Sequence, residues 1–208
     1  GFLYAATGTL NMADMAARLS TLSDSSVVQT GFAFVVVGLG IKAAMFPLHG
    51  WLPGAYSYAP SLIAIFLAAT ATKTSIYLMA RFVFDVFPNG PAFGQGFITS
   101  VLAPLAAAAA IVCSLQAVFE KEIRRVLAFS SVAQVGFILL GLSLASVAGA
   151  SAGLFYLAAH ALMKMTLFMA LGGLAISLGA RRIDELAGVA RDAPWSAVAF
   201  GVGAASLA

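Results

Sequence analysis

The sequence predicts an all-α polytopic bundle of transmembrane helices, one of them discontinuous, and three observations carry that prediction. Hydrophobic residues make up 62% of the 208 and charged residues only 9%, against about 25% charged in a soluble domain. Five apolar runs are long enough to cross a membrane, since roughly 20 mostly apolar residues cover a hydrocarbon core about 30 Å thick. The first of them ends in "GLGIKAAMFPLHGWLP", residues 38–53, where glycines and prolines interrupt a helical pattern around Lys42.

Each element follows from its own residues. Residues 1–26 are amphipathic and end in a polar turn-forming cluster. They predict a short interfacial helix with Asp14 and Arg18 as an i, i+4 pair on its wet face. The start shows no initiator methionine, basic n-region or cleavage site, so the expectation is an internal fragment. Spans are expected over 27–48, 60–84, 97–118, 126–146 and 152–178, and a sixth begins at 195, too short to cross before the last residue. The loop "HGWLPGAYSYAP" joins the first two spans, with Trp51, Tyr56 and Tyr58 suited to the headgroup level. "DVFPNGPAFGQG" reads as a Pro/Gly turn region.

The placement of charge sets the orientation. Lys121, Arg124 and Arg125 follow the third span, and Arg181, Arg182 and Arg191 follow the fifth. Two spans separate these links, so both face one side, and the other side holds chiefly Arg18 and Arg81. By the positive-inside rule the two basic links are cytoplasmic. The expected location is a membrane of the bacterial inner (plasma) type. The net charge of +3 is thereby accounted for by topology, and no nucleic-acid partner is expected. The single Cys113 lies inside an apolar run, which excludes an internal disulfide or a cysteine-built metal site. It reads as a small buried hydrophobe. "GLGIKA" after "FAFVVV" mimics a dinucleotide-binding turn, but no acid stands anywhere from Val27 to Val83 to serve a ribose.

Three lysines fall inside three separate spans: Lys42, Lys73 and Lys164. A centred lysine costs about 2.5–3.5 kcal/mol on the lenient insertion scale. Snorkelling is an alternative for Lys42, close to the end of its span, but Lys73 and Lys164 stand too deep for their stems to reach the interface. The functional reading is a hydrated interior path on which buried amines gain and lose protons. Thr70, Thr72, Thr74 and Ser75 offer hydroxyls around Lys73. His160 shares a helix face with Lys164 at i, i+4, and histidine is a natural relay between lysines. Ser130, Ser131 and Gln134 form a polar patch in the fourth span, with interhelical packing and transport both open to it. Gly38, Gly40, Pro47 and Pro53 weaken or end helix around Lys42, which suggests a station and gate formed by Lys42, Pro47, Trp51 and Pro53. His49 lies just past the break and reads as interfacial.

The strings "GIKAAMFPLHGWLPGAYSYAPS", "TATKTSIYLMARF", "EKEIRRVLAFSSVAQVGF", "HALMKMTLFMALGG" and "IDELAGVARDAP" resemble the antiporter-like membrane subunits shared by Mrp-type sodium/proton antiporters and respiratory complex I. The opening "YAATGTLNMADMAARL" tilts the resemblance to the Mrp-type D subunit. It implies a larger antiporter-like fold, of which this chain is a piece, and proton translocation within a multisubunit complex. By the resemblance Lys42 is the lysine of the discontinuous helix, Lys73 the central lysine of the next helix, and His160 the histidine bridging toward a second half-channel. Lys164 belongs to the relay by its i, i+4 place beside His160 and not by the resemblance. The family pairs its discontinuous-helix lysine with a glutamate on an earlier helix and continues to a lysine or glutamate on a later one, and neither is in this sequence. Gly54 and Tyr56 depart from the family's usual acid and histidine. Implied partners are other membrane subunits, the lipid bilayer and protons, with sodium as the alternative coupled ion. No flavin, iron–sulfur or haem ligand set is present in the sequence, so no cofactor is expected. A proton-pumping subunit of NADH:quinone oxidoreductase and a non-conducting structural subunit remain the competing readings.

Overall fold

The computed structural model describes residues 1–22, 25–87, 94–179 and 181–207. Within them the chain is helical, with one isolated bridge between Glu122 and Arg182 as the only strand-like pairing among the described residues. Two short helices, α1 (Phe2–Thr7) and α2 (Met12–Leu19), come first. Five long apolar helices follow: α3 (Ser26–Ala43), α5 (Ser61–Val86), α6 (Ile98–Phe119), α7 (Ile123–Ser143) and α8 (Val147–Leu178). A short α4 (Trp51–Tyr58) lies between α3 and α5, and α9 (Pro194–Ala205) ends the chain. Much of the Pro/Gly turn expected before α6 lies outside the described residues.

Asn11 caps α2 by accepting from the amides of Ala13 and Asp14, and Arg18 reaches back to Asp14 at 3.0 Å, the expected i, i+4 pair. At the far end of α7 the expected boundaries shift. The helix stops at Ser143, and Ser146 caps α8 by accepting from Gly149 N–H, so α8 begins several residues before the predicted start. Glycine permits this tight hairpin: a Cβ on Gly149 would stand 2.6 Å from the Gly141 carbonyl oxygen. The same device joins α6 to α7, where a Cβ on Gly136 would meet the Ala106 carbonyl at 2.7 Å.

The two basic links are on one side, as their charge predicts, and they touch. Ile123 N–H donates to the Arg181 carbonyl at 3.0 Å and Ile183 N–H to the Lys121 carbonyl at 3.1 Å. Large apolar side chains such as Phe66, Ile111, Phe155 and Ile176 remain exposed along the long helices. That is the surface a bilayer would cover.

The buried apolar residues form two clusters rather than one. The first gathers Leu19, Phe32, Ile76, Met79, Val135, Ile138 and Leu157, and the second Leu52, Tyr56, Ala68, Leu127, Val132, Leu167 and Phe168. Along α5 the clusters change over between Ala68 and Ile76, along α7 between Ala133 and Val135, and along α8 between Leu157 and Leu167. All three helices pass through one seam, and it holds most of the buried polar groups among the described residues.

Candidate functional site

Lys73, Gln134, His160 and Lys164 are buried at that seam, the last two with no exposed surface at all. Lys73 stands near the middle of α5, just past a π-helical stretch over Leu67–Ala71. A π turn shifts the backbone ladder by one residue, so a carbonyl is left without its usual amide. The Lys73 ammonium donates to the Ala68 carbonyl inside this wide turn. The hydroxyls expected around Lys73 do not serve it. Thr70, Thr74 and Ser75 donate to carbonyls of their own helix, those of Phe66, Thr70 and Ala71. Side-chain to i−4 bonding of this kind satisfies a helical hydroxyl locally in an apolar medium. Thr72 Oγ1 is buried with no protein partner among the described residues.

Lys164 projects from α8 to α7. Its ammonium donates to the Leu127 carbonyl at 3.0 Å and to the Ser130 hydroxyl at 2.5 Å. The Leu127 carbonyl also accepts from Ser131 Oγ at 2.8 Å. Ser130 of the polar patch thus bonds the Lys164 amine directly, and Ser131 shares that amine's acceptor. One turn back on α8, His160 stacks on the Tyr156 ring at 6.5 Å between centroids and 9° between planes. Neither imidazole nitrogen bonds a protein group among the described residues. Three titratable side chains from two helices are buried at one seam, and the oxygens that bond the two amines are neutral. Such oxygens hold an ammonium without fixing its charge as a carboxylate would.

Lys42 is not part of this cluster. It occupies the last turn of α3 and is exposed. The break that follows is real: Ala44 is left-handed (φ 55°), residues 45–50 are non-helical, and the Phe46–Pro47 peptide is cis. Trp51 Nε1 donates to the Ile41 carbonyl at 2.7 Å, closing the end of α3 from beyond the break. Pro53 has a different place from the one expected. It sits in the first turn of α4, where a missing amide costs nothing, so it begins a helix instead of ending one. Tyr56 also departs from expectation. It is fully buried against Phe168, with ring centroids 5.0 Å apart, so its ring packs into the protein. Tyr58, at 92% exposure, is where an interfacial ring would be.

His49 is half-buried between Phe46 and Phe129, with Cys113 Sγ 3.8 Å from its Nε2. Burial pushes its imidazole below the ordinary histidine value. Cys113 is buried in the second apolar cluster. Sequence reasoning missed Arg124. Its guanidinium, at the start of α7, donates to the Ala59 carbonyl at 2.7 Å, the Ser57 carbonyl at 3.4 Å and Ser61 Oγ at 2.9 Å. It ties the end of α4 to the start of α5, and only its position in a basic link marked it in the sequence. Tyr156 was also missed, although its place four residues before His160 was a signal.

Residues 2–208 match the family described as NADH:quinone oxidoreductase/Mrp antiporter, TM. The chain is 44% identical over its whole length to NADH-quinone oxidoreductase subunit N of Desulforudis audaxviator, and covers 41% of that protein. It is 30% identical, again over its whole length, to the D-type subunit of the Na(+)/H(+) antiporter of Alkalihalophilus pseudofirmus, and also covers 41% of it. In the structure of the Mrp complex from Dietzia sp. DQ12-45-1b, 37% of one chain superposes on 99% of this one with a TM-score of 0.85 and 35% identity. The chain thus spans about two fifths of the length of these relatives.

Proposed function

This chain belongs to the NADH:quinone oxidoreductase/Mrp antiporter transmembrane family, and from that premise we propose that it carries protons through Lys73, His160 and Lys164 as part of an antiporter-like subunit. The observation that carries the reading is the seam: three buried titratable side chains on two helices, the two amines bonded to neutral oxygens and the imidazole bonded to no protein group among the described residues. A proton on the Lys73 ammonium repels one on Lys164, because like charges interact strongly where the dielectric is low. His160, with both ring nitrogens free of protein partners among the described residues, can accept on one nitrogen and release from the other. Lys42 and the break from Ala44 to Gly50 form the gate. A change in the charge around Lys42 alters the occupancy of Lys73, while Pro47 and Trp51 shape the break and Pro53 starts the helix beyond it.

The subunit works among other membrane subunits in a bilayer of the bacterial inner-membrane type. The Mrp-type D role, exchanging protons for sodium, rests on the opening residues and on the likeness to the D-type antiporter relative. A second reading, a proton-pumping subunit of NADH:quinone oxidoreductase, is favoured by the 44% identity to a subunit N. Proton flux in vesicles carrying the full-length protein in its complex separates them. Lys73→Ala at matched assembly should abolish flux. Loss under a sodium gradient alone supports the D role, and loss seen only with NADH as the driver supports the second. Unchanged flux would overturn the relay and leave a structural subunit.

A further inference from the structure

We infer that Gln134 and Tyr156 are positioning residues for His160, forming a cross-helix tie beside its imidazole ring; this rests on the relay proposed above. Two rungs join α7 to α8. In one, Lys164 donates to Ser130; in the other, the Tyr156 hydroxyl donates to Gln134 Oε1. Ser130 and Gln134 stand one turn apart on α7, and Lys164 and Tyr156 each stand one turn from His160 on α8, on opposite sides of it. His160 therefore lies between the rungs, on the face they define.

The Gln134 rung is locked from both ends of its amide. Gln134 Nε2 donates to the Leu207 carbonyl at 3.3 Å, which leaves Oε1 as the acceptor for Tyr156 and fixes which way the amide faces. Gln134 is 9% exposed and sits where α7 passes from one apolar cluster to the other. With its hydroxyl tied, the Tyr156 ring cannot swing, and its face lies nearly parallel to His160. The histidine needs this support because its own nitrogens bond no protein group among the described residues, so no such bond sets its ring angle. A histidine χ2 is broad and roughly two-fold, so a neighbouring ring held in place narrows the orientations open to the imidazole. Proton transfer between fixed groups is steep in geometry, and a misplacement of about 1 Å can cost roughly a hundredfold. Tyr156 and Gln134 thus act on transport through His160 without carrying a proton.

The test is proton flux per assembled complex, in vesicles carrying the full-length protein, for Tyr156→Phe, Gln134→Leu, the double variant and Tyr156→Leu, with Lys73→Ala alongside. Tyr156→Phe keeps the stacking ring and loses the tie; the expected loss is about tenfold. Gln134→Leu removes that tie together with the bond to the Leu207 carbonyl and should lose at least as much, and the double variant should be no worse than Gln134→Leu, because the Tyr156 tie is already gone in it. Tyr156→Leu, which removes ring and tie together, should lose roughly a further tenfold. Flux per complex equal to the parent in Tyr156→Phe and Gln134→Leu, with Lys73→Ala inactive, would overturn this inference and spare the relay. Additive losses in the double variant would overturn it as well, since they would mark two separate packing roles. An active Lys73→Ala would bring down the relay and this inference together.

Discussion

Lys164 and Arg124 are cations that bind the same kinds of oxygen on or beside one helix, and they do different things. Lys164 donates to the Leu127 carbonyl and the Ser130 hydroxyl; Arg124, at the start of α7, donates to the Ala59 and Ser57 carbonyls and the Ser61 hydroxyl. Neither relies on a carboxylate. A guanidinium does not give up its proton in a protein, so Arg124 is a permanent clamp across the α4–α5 junction. An amine can release its proton, and carbonyls and hydroxyls impose no opposite charge that would prevent it. Burial differs in the same sense, complete for Lys164 and partial for Arg124. If Lys164 carries a proton as proposed, one set of partners serves fixation or transfer according to which cation occupies it.

The largest effect should come from exchanging those chemistries. Lys164→Arg places a charge that cannot leave at the seam, and flux per assembled complex should fall by about a hundredfold or more, the scale of losing a positioned proton carrier. Lys164→Met, close in volume and uncharged, should lose flux comparably while assembling at least as well, because no buried charge remains to be solvated. Flux in vesicles and complex yield by native gel check both. Retained flux in Lys164→Arg would break the comparison, since the carrier would then need no labile proton.

Next in size is the clamp. Arg124→Ala leaves two carbonyls beside the α4–α5 junction without their donor; a well-formed hydrogen bond to a charged group contributes about 1.5–3 kcal/mol, and the 3.4 Å contact to Ser57 contributes less. Thermal unfolding of the detergent-solubilised complex should show a loss of about 2–4 kcal/mol in total, with Arg124→Lys recovering part of it. Flux per surviving complex should stay within about twofold of the parent, far from the scale of a lost carrier. A flux loss matching that of Lys164→Met, at normal stability, would place Arg124 on the path and erase the contrast.

This contrast also marks where the sequence could be read and where it could not. The spans, the common side of the two basic links and the break near Lys42 follow from hydropathy, charge counting and proline, all local signals. The lysines and the histidine stand out because a polar residue at membrane depth is costly wherever its partners lie. Partners are the part that was hidden. Thr70, Thr74 and Ser75 surround Lys73 in sequence yet bond their own helix, while the group that receives the ammonium is a backbone carbonyl exposed by a π turn. A carbonyl has no letter in the sequence, and a π turn has no reliable one. Tyr56 shows the complementary error: aromatic character suggested the interface, but the helix made of residues 51–58 turns that ring inward onto Phe168.

A smaller effect is expected at the break. Trp51→Phe keeps a ring at a position that is 38% exposed and removes the bond to the Ile41 carbonyl. The loss should be about 1 kcal/mol, the net value of a neutral hydrogen bond, read from the unfolding midpoint. If the break gates Lys42, flux should change by more than this loss of stability predicts. A change confined to stability would reduce Trp51 to the role Arg124 has, a fixed closure.

The smallest effect belongs to a cation that does have a carboxylate. Arg18 donates from Nε to Asp14 at 3.0 Å and from Nη1 to the Thr7 carbonyl at 2.8 Å, with the ion pair on the exposed face of α2. Its hydrogen bond, helped by the Thr9 hydroxyl, holds the Asp14 carboxyl below the ordinary aspartate value. A carboxyl depressed in the folded state stabilises fully above the unfolded pKa, and the contribution fades as pH falls through the lower folded value. Asp14→Asn should therefore lower the unfolding midpoint slightly at neutral pH and not at all in acid, and added salt should shrink the difference. Flux should not change. The Thr7 carbonyl keeps Arg18 in place without the acid, which is why the pair is dispensable where the carbonyl clamp of Arg124 is not. A midpoint loss as large as that of Arg124→Ala would mean that the carboxylate, and not the carbonyl, decides how firmly a cation in this protein is held.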